Sequence, residues 1–427
     1  MMSKNYAFTI CTKSYIGLAW VLRESLLKYN SDFNFYIFVA DENDDETRLP
    51  DDTYIIKDLK VLSDEKWIEC AFKYNVTEFC TCLKPFICKW LLENTDAEKV
   101  FYMDPDLFFF SDAQPLLDGL NGEKIIELTP HFLTFPETKQ SKYFEDEIRY
   151  SGIFNLGFLG IKRNDKVLKM LSWWGGNLLD KCFADGATFQ FTDQKWMDFM
   201  PLFFNENEIN VVRNLGWNVA PWNYFERKII FQNDFVFVTD RNSNSNSEKI
   251  VFAHFSGFKY KDLLNDKVIQ VNNGHENEYS DADELLNLYI AELKSKRDIL
   301  KSYFSKNYTY ANYDNGKVIE KFHRRLYRSF ILNKFDFAEN PFRIDNYFYK
   351  KLLSKKIFSQ SKLNDIENLK NDNSYVIAKI KKVNIVFAIL FKLLGYERYL
   401  TFCRFLHRYT KFENQLFLLN RDLISWV

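Results

Sequence analysis

Strand-like and helix-like segments alternate along the first hundred residues, and this alternation limits the possible folds more than any other feature. The runs 6–11 and 34–39 are short and mostly apolar, as buried strands are, and the amphipathic run 17–29 lies between them. A second helical run, 77–94, precedes a third short strand at 100–103. Strands connected by helices pair in parallel through right-handed crossovers. We therefore expect an α/β fold of Rossmann type, with a mostly parallel central sheet flanked by helices.

Two carboxylates, Asp104 and Asp106, come directly after the third predicted strand. Ligands of parallel sheets bind beyond the carboxyl ends of the strands, where Asp41, which follows the second strand, would also lie. Carboxylates are costly to bury unless a cation contacts them, and hard oxygen ligands suit Mg²⁺ or Mn²⁺. Aspartates are also common in turns because they hydrogen-bond their own backbone, so a structural turn is the alternative. The strand context favours a metal site.

A histidine, His254, follows another predicted strand, 249–253. Imidazole is a competent third ligand for Mn²⁺, although a lone histidine is often a structural residue. The next loop contains Gly257, Lys259 and Lys261, and lysines can neutralise a diphosphate. We expect His254 to complete the set of metal ligands.

Six short motifs occur in the order found in GT-A fold glycosyltransferases. They are the segments 9–27, 81–92 (with Leu83-Lys84-Pro85), 102–106 (YMDPD), 154–157 (FNLG), 192–194 (TDQ) and 254–257 (HFSG). The chain most closely resembles the retaining nucleotide-diphospho-sugar transferases of the glycosyltransferase family 8 type and their bacterial surface-polysaccharide relatives. The resemblance covers residues 5 to 262 in outline and does not include the C-terminal third.

The resemblance implies a nucleotide-diphosphate sugar as donor substrate and a Mn²⁺ (or Mg²⁺) ion held by Asp104, Asp106 and His254. The ion would bind the donor diphosphate, and Lys84, Asp193 and Gln194 would be the catalytic residues. The nucleoside would contact Thr9, Cys11, Thr12 and Asp41. The donor phosphate or sugar would contact Lys84, and the sugar hydroxyls would contact Asn155. The region of the anomeric carbon would lie near Asp193 and Gln194, and the diphosphate near Asp104, Gly257 and Lys259.

Two segments depart from the family pattern. After His254 the family has a lysine followed by Pro-Trp, whereas here Lys259 comes one position early and Lys261 one position late, so either can be the phosphate contact. Gln194 is followed by Lys-Trp-Met instead of Asp-x-x-Asn. Alternative interpretations are strand core for Thr9 and Cys11, a strand-edge turn for Asn155, and a helix N-cap for Asp193.

Aromatic residues make up 18% of the chain, and some of them are candidates for acceptor binding. Trp173, Trp174, Trp217 and Trp222 could stack against a sugar acceptor, and core packing is the alternative for at least two of them. His131, in a loop after a predicted strand, is a second kind of candidate for acceptor contact.

The activity implied by the resemblance is transfer of a sugar, with retention of configuration, to a hydroxyl of a glycan, a lipid-linked molecule or a protein. We expect a role in bacterial glycan or surface-polysaccharide synthesis. An inverting enzyme would need a carboxylate base, for which Glu127, Glu145 and Asp146 are candidates. A sugar nucleotidyltransferase would have a Gly-rich phosphate loop after the first strand, where this chain has TKSYIG at 12–17. A non-catalytic scaffold of a glycan-assembly complex is the alternative from a different class.

The C-terminal third differs in charge from the rest of the chain. Residues 320–427 contain 21 basic and 10 acidic residues, whereas the preceding residues contain 36 and 48. We expect residues 1–262 to form the GT-A catalytic domain and residues 263–427 a helical, basic and aromatic-rich region. This region would contact the acceptor, an anionic membrane surface or another subunit. No nucleic-acid motif accompanies the basic residues, so no nucleic-acid partner is expected.

The surface cations that would meet a membrane are interleaved with aromatic and aliphatic residues; they are Arg324, Arg325, Arg328, Lys350, Lys351, Lys355, Lys356, Lys381 and Lys382. The seven cysteines include no C-x-x-C pair, which is typical of reduced thiols, and the N-terminal residues lack the apolar stretch of a signal peptide. We expect a cytoplasmic protein that can associate with the inner face of the membrane.

Overall fold

The computed structural model describes residues 4–44, 46–135, 144–233, 235–243, 246–271, 279–333, 339–358 and 373–420. Its strands are β1 (Asn5–Cys11), β2 (Phe33–Val39), β3 (Thr53–Ile55), β4 (Lys99–Met103), β5 (Leu107–Phe109), β6 (Ile126–Pro130), β7 (Phe154–Lys162), β8 (Ala184–Asp185), β9 (Gln190–Phe191), β10 (Ile209–Val211), β11 (Arg227–Gln232), β12 (Phe235–Asp240), β13 (Glu248–Lys249) and β14 (Phe252–His254).

The α-helices are α1 (Ile16–Tyr29), α2 (Asp64–Lys73), α3 (Val76–Cys82), α4 (Lys84–Asn94), α5 (Gln114–Asp118), α6 (Phe144–Ser151), α7 (Asp165–Lys181), α8 (Tyr260–Leu263), α9 (Ser280–Ser295), α10 (Arg297–Phe304), α11 (Lys321–Leu332), α12 (Tyr347–Ser354) and α13 (Asn373–Tyr409). Short 3₁₀ helices occur at Lys13–Tyr15, Ile56–Leu59, Gly186–Thr188, Gln194–Leu202, Glu206–Glu208, Thr309–Ala311 and Phe412–Leu418.

In the part of the chain that the structure describes, the central sheet has seven strands in the order β10-β6-β7-β4-β1-β2-β3. Strand β1 pairs in parallel with β2 and β4, and the pairs β2–β3 and β6–β10 are also parallel. Strand β7 runs antiparallel to both β4 and β6. The predicted α/β class, with a mostly parallel sheet flanked by helices and a helical C-terminal part, is confirmed.

The two faces of the sheet are covered by different helices because side chains alternate along each strand. On one face, Ala7 of β1 and Ile37 of β2 belong to the same buried cluster as Leu22 of α1. On the other face, the Phe38 ring packs edge-on against Trp90 of α4, with the ring centroids 6.0 Å apart. The strand ends between these layers are thus held rigidly, as a site at the sheet edge requires.

Three predicted elements differ from the observed ones. The predicted helix 77–94 is two helices, α3 and α4, and Pro85 lies in the first turn of α4, where its missing N–H costs least. The charged segment 281–305, whose pattern predicts one long helix, also forms two helices, α9 and α10, separated at Lys296, whose backbone is not helical. The predicted strand 249–253 is divided between β13 and β14. Asn164, a residue type favoured before the first turn of a helix, caps α7, because its side chain accepts a hydrogen bond from the backbone N–H of Lys166.

The described chain divides into two compact units. The first comprises Met1–Cys70 and Val76–Thr309, and the second comprises Ala71–Asn75 and Tyr310–Val427. The functional boundary after residue 262 stays a prediction. Among the helices that the structure describes, none is both long and apolar enough to cross a bilayer.

Inside the second unit, three of the predicted surface cations are buried. Arg324 donates hydrogen bonds to the carbonyl oxygens of Phe72 and Tyr74, both at 2.7 Å. Arg328 lies 2.8 Å from the buried carboxylate of Glu413, and Arg325 is buried as well. The interpretation of these three arginines as surface cations is therefore wrong, because carbonyl groups and Glu413 hold their guanidinium groups inside the unit.

Glu127, a candidate base, lies in the interior of the sheet. Its side chain is fully buried, and one carboxylate oxygen accepts a hydrogen bond of 2.7 Å from the Asn210 amide. The other oxygen has no hydrogen-bond partner among the described residues. Burial raises the pKa of Glu127 to about 8. A carboxyl group enclosed by strands has no access to an acceptor, so Glu127 is not the base; the side chains of Glu145 and Asp146 lie outside the described residues.

We expect Glu127 to make the protein less stable as pH rises. Its folded-state pKa is above the unfolded value, so its stabilising contribution is complete at pH 4 and is lost as pH rises through about 8. The loss is on the order of 4 kcal/mol between these limits. Glu127→Gln keeps a neutral amide at this position, and urea denaturation at several pH values should show a smaller fall in its unfolding free energy between pH 5 and 8. An identical fall in both proteins would contradict the expectation.

Candidate metal centre and its surroundings

The metal ligands predicted from distant parts of the sequence meet because β5 and β14 pair. Asp104 and Asp106 lie in the turn between β4 and β5, and the Leu107 N–H closes that turn on the Asp104 carbonyl oxygen at 3.1 Å. In the antiparallel pairing of β14 with β5, His254 is opposite Leu107. The Phe255 N–H also donates to the Asp106 carbonyl oxygen at 3.0 Å. His254 is thereby fixed beside the two carboxylates.

The three side chains form a compact donor set. One ligand atom from each of Asp104, Asp106 and His254 lies within 4.8 Å of the other two. The His254 Nε2 atom is 3.1 Å from Asp106 Oδ1 and 3.8 Å from Asp104 Oδ2. Two carboxylate oxygens and one imidazole nitrogen are a donor set that suits Mn²⁺ or Mg²⁺. The residues present therefore fit a divalent cation.

The charges at this cluster favour a cation. Burial alone would lower the pKa of His254, but Asp106 and Asp104 outweigh burial and raise it. Burial raises the pKa of Asp104, with the nearby Asp106 adding to the effect, whereas His254 and the Tyr260 hydroxyl hold the pKa of Asp106 below its ordinary value. A divalent cation would satisfy both carboxylates together, which a single imidazolium proton cannot do.

Two asparagines orient the imidazole from behind. The His254 Nδ1 atom is 3.2 Å from the side-chain oxygens of both Asn155 and Asn218. An Nδ1–H that donates to these oxygens leaves the Nε2 lone pair free for a metal. Gly157 makes room for the ring, because a Cβ atom there would lie 2.3 Å from His254 Cε1. Asn218 has a left-handed backbone (φ 53°) and no motif around it, so sequence reasoning missed it.

Buried tyrosines hold both carboxylates from the other side. The Tyr102 hydroxyl donates to Asp104 Oδ1. The Tyr260 hydroxyl lies 2.8 Å from Asp106 Oδ2 and 2.5 Å from the Phe255 carbonyl oxygen. Tyr102 precedes Asp104 by two positions, so the period of a strand places both on one face, a signal that the sequence does contain. These hydroxyls fix the carboxylate orientations before any ion binds.

We expect Tyr260→Phe to weaken Mn²⁺ binding about tenfold, because a hydrogen bond to a charged group contributes roughly 1.5–3 kcal/mol. Isothermal titration of the protein with MnCl₂ measures the change. Tyr289→Phe is the matched control, since its buried hydroxyl has no hydrogen-bond partner among the described residues and its ring stacks on Phe255. Equal affinities of the Tyr260 variant and the wild type would show that this hydroxyl does not position Asp106.

Lys84 connects the metal ligands to Asp193. Its ammonium is 2.8 Å from Asp193 Oδ2, 3.8 Å from Asp104 Oδ1 and 2.8 Å from the Leu156 carbonyl oxygen. It also lies 4.2 Å from the centre of the Tyr102 ring. Burial disfavours the charged lysine, but Asp193 and Asp104 outweigh burial and raise the pKa of Lys84. Lys84 and Asp193, two of the three catalytic candidates, are therefore in direct contact beside the candidate metal ligands.

The backbone around Asp193 is strained. Thr192, a β-branched residue, has φ of 43°, in the left-handed region that such residues rarely occupy. Its hydroxyl donates to Asp193 Oδ1 at 3.1 Å. Asp193 precedes the 3₁₀ helix Gln194–Leu202, but its side chain makes no capping hydrogen bond. The N-cap interpretation of Asp193 is therefore wrong: its carboxylate points to Lys84.

The residues considered for acceptor binding separate into two groups. Trp174 and Trp217 are buried in the core, as the alternative interpretation has it. Trp222 lies edge-on to His254, with the ring centroids 5.1 Å apart, and 5.7 Å from His131. The Gln194 Nε2 atom is 3.5 Å from His131 Nε2 and donates to the Ser151 carbonyl oxygen at 3.0 Å. Burial lowers the pKa of His131 to about 4.

The residues predicted to contact the nucleoside lie at the ends of β1 and β2. Thr9, Cys11, Thr12 and Asp41 are all buried, and Cys11 is part of the hydrophobic core under α1. Asp41 Oδ1 accepts hydrogen bonds from the backbone N–H groups of Glu42 and Thr309, at 3.0 and 3.1 Å. The charges of Asp41 and Asp104 both act on the Cys80 thiol, whose pKa burial raises to about 12. Their contact with a nucleoside stays a prediction.

A lysine missed by sequence reasoning lies beside Asp41. The Lys13 ammonium is 3.9 Å from Asp41 Oδ1, 2.6 Å from Asp44 Oδ2 and 3.3 Å from the Thr309 hydroxyl. Lys13 is part of the TKSYIG segment, but only the fold brings Thr309, from the end of the first unit, to it. In the loop after His254, Gly257 has φ of 80°, which a residue with a side chain rarely adopts, and Lys259 and Lys261 are exposed.

The chain was compared with known proteins, and no model of a protein family matches it. It is 25% identical over 255 residues to the uncharacterized protein YfnF of Bacillus subtilis (strain 168), covering 59% of this chain and 80% of YfnF. The solved galactosyltransferase LgtC, in complex with donor and acceptor sugar analogs, is 18% identical, with 59% of this chain and 87% of LgtC covered and a TM-score of 0.35. Mouse xyloside xylosyltransferase 1 is 13% identical, with coverages of 59% and 97% and a TM-score of 0.35.

Proposed function

We propose that the protein is a glycosyltransferase that depends on a divalent metal ion and uses a nucleotide-diphosphate sugar as donor. The observation that carries the proposal is the unbroken set of contacts from Asp106 through His254, Asp104 and Lys84 to Asp193. It combines a site for a cation, which a diphosphate needs, with a carboxylate a short distance away, which a developing sugar cation needs. The acceptor would be a hydroxyl of a glycan, a lipid-linked molecule or a protein, in bacterial glycan or surface-polysaccharide synthesis.

The proposed role of each residue in the candidate site follows from the charge of its side chain. Asp104, Asp106 and His254 would hold Mn²⁺ or Mg²⁺, which when bound supplies positive charge for the leaving diphosphate. Lys84 would add its own positive charge on the same side. Asp193 would stabilise the oxocarbenium-like sugar electrostatically as the bond from the anomeric carbon to the phosphate oxygen breaks. The acceptor oxygen would form its bond on the face from which the diphosphate leaves, so the configuration is retained, and its proton would pass to the diphosphate.

The contacts around the donor would come from both ends of the first unit. Asn155 would meet the sugar hydroxyls and Gln194 the region of the anomeric carbon, while Thr9, Cys11, Thr12 and Asp41 would lie at the nucleoside. Gly257 and Lys259 would close on the diphosphate. The protein would be cytoplasmic and peripheral at the inner face of the membrane.

The test is release of nucleoside diphosphate across a panel of nucleotide sugars, with and without Mn²⁺. One donor that binds and turns over only with metal is the expected result. Consumption of a nucleoside triphosphate with a sugar phosphate, and release of pyrophosphate, would contradict the proposal in favour of a nucleotidyltransferase. Absence of donor binding in the presence of metal, measured by thermal shift, would favour a scaffold.

A further inference from the structure

The second unit contains a long helix, α13, whose described side chains, from residue 380 onwards, do not pack into a core. Helix α13 is interrupted once, at Gly395, whose φ of 70° and ψ of 172° are not helical. Between residues 380 and 412, all of which the structure describes, no residue is buried. Apolar helix surface of this extent is unusual for a protein that functions in water alone.

The two arms of α13 fold back on each other at Gly395. The Tyr399 ring in the second arm contacts Phe387 and Phe391 in the first, with ring centroids 6.4 and 5.2 Å apart. Phe387, Leu390 and Leu394 of the first arm are half-buried and recur at helical spacing, so they share one face with the ring contacts that form the seam between the arms. We call this helix–Gly–helix segment, residues 380–409, the hairpin.

The first arm of the hairpin has a second apolar stripe outside the seam. Ile385, Val386, Ile389 and Leu393 follow helical spacing on the outer side, and Ile389 and Leu393 are 52% and 77% exposed. Ile385 and Val386 are exposed as well, at 61% and 55%, so the folded hairpin leaves this outer stripe uncovered. Four adjacent aliphatic side chains in water favour transfer to an apolar phase.

The lysine and arginine side chains around the outer stripe indicate which apolar phase the stripe would enter. Exposed Lys382 and Lys392 lie near the two ends of the stripe, and no charged residue occurs from Val383 to Phe391. The second arm adds the exposed Arg398, Arg404 and Arg408. Two copies of so basic a surface would repel each other, whereas anionic lipid headgroups would attract it.

We propose that the hairpin binds the surface of an anionic membrane, with the outer stripe in the interfacial region and the lysines at the headgroups. The run from Val383 to Leu394 is about 18 Å of helix, comparable to an interfacial helix and well short of a bilayer core of roughly 30 Å. Lysine side chains are long enough for their aliphatic stems to lie along the lipid while the ammonium reaches the headgroups. This inference rests on the second unit alone and does not depend on the proposed activity.

The experiment is flotation of the full-length chain with vesicles of phosphatidylcholine, with or without phosphatidylglycerol. We expect the wild type to bind only the anionic vesicles, and Ile389→Glu with Leu393→Glu to bind at least about tenfold more weakly. The matched control is Leu202→Glu with Leu288→Glu, two exposed leucines of the first unit, which should bind like the wild type. Circular dichroism establishes that each variant is folded.

Charge is tested separately with Lys381→Gln and Lys382→Gln, which should weaken binding about tenfold at low salt and less at high salt. Binding of the stripe variant equal to that of the wild type would overturn the proposal. So would wild-type protein that fails to bind anionic vesicles, or that binds neutral vesicles equally well. A wild-type dimer that becomes monomeric in the stripe variant, measured by light scattering, would show that a second copy covers the stripe instead.

Discussion

Asp106→Asn is expected to reduce metal-dependent sugar transfer about 10³-fold. Asparagine keeps the size of the side chain and an oxygen that can accept the Tyr260 hydrogen bond, but it removes a negative charge from the three metal ligands. The structure should therefore persist while the affinity for Mn²⁺ falls steeply. Titration with MnCl₂ and the rate of nucleoside diphosphate release measure the two effects on the same preparation.

The matched control for Asp106→Asn is Asp298→Asn, which removes the same charge from an exposed position in the first turn of α10. It should keep wild-type affinity and rate. If Asp106→Asn retained both, the carboxylate would not be a metal ligand. If it lost thermal stability without metal, its role in the turn between β4 and β5 would be structural instead.

Lys84→Met is expected to lower the free energy of unfolding by about 3–5 kcal/mol and to abolish transfer, because it leaves the buried carboxylate of Asp193 without its cation. The Lys84 side chain is 2% exposed, and its ammonium contacts Asp193, Asp104 and the Leu156 carbonyl oxygen. Methionine fills a similar volume, so the loss would measure charge and hydrogen bonding more than packing. Urea denaturation at neutral pH gives the value.

Lys89→Met is the control for this substitution, since Lys89 is on the same helix but its ion pair with Glu93 is solvent-exposed. Exposed pairs contribute about 0–1 kcal/mol, so the control should change stability little. A double variant, Lys84→Met with Asp193→Asn, removes both charges and should recover much of the lost stability while staying inactive. Strictly additive losses in the double variant would mean that the two side chains do not stabilise each other.

The sheet and the meeting of Asp104, Asp106 and His254 could be predicted because each strand and each of these residues is marked by a pattern within its own segment. Strands of the first hundred residues are apolar runs between helices, and parallel strands bring their carboxyl ends to one edge. Asp104, Asp106 and His254 each follow a strand, so their meeting required only that β5 and β14 be neighbours. Tyr102 could have been added from strand alternation, because it shares a face with Asp104.

The other features of the candidate site and of the second unit depend on contacts between distant segments, which no local sequence pattern predicts. The approach of Lys84 to Asp193 joins two segments more than a hundred residues apart, and only the family resemblance placed both at the site. Asn218 contacts His254 from a left-handed backbone conformation, which no pattern in the sequence predicts. Arg324 was interpreted as a surface cation because charge suggests solvent, whereas its guanidinium satisfies backbone carbonyl groups inside the second unit. Burial of a charged residue whose partners are backbone carbonyl groups of other segments can be seen only in the folded chain.

The hairpin differs from Arg324, because its cations were predicted to be exposed and are exposed in the structure. Its basic and aromatic composition suggested a membrane surface, and composition alone could not separate residues that form the seam from those that face outwards. The fold makes that separation, because Phe387 and Leu390 are half-buried while Ile389, between them, is exposed. An enzyme held at a membrane in this way would meet acceptors carried by lipids.

We propose that Asp104, Asp106 and His254 bind a divalent cation that in turn binds the donor diphosphate. The most direct test is a crystal grown with Mn²⁺ and the donor found in the panel, with anomalous diffraction recorded to locate manganese. One strong anomalous peak is expected within bonding distance of all three side chains and of two oxygens of the diphosphate. A bound donor with no anomalous peak at these residues, or with manganese held elsewhere, would contradict it.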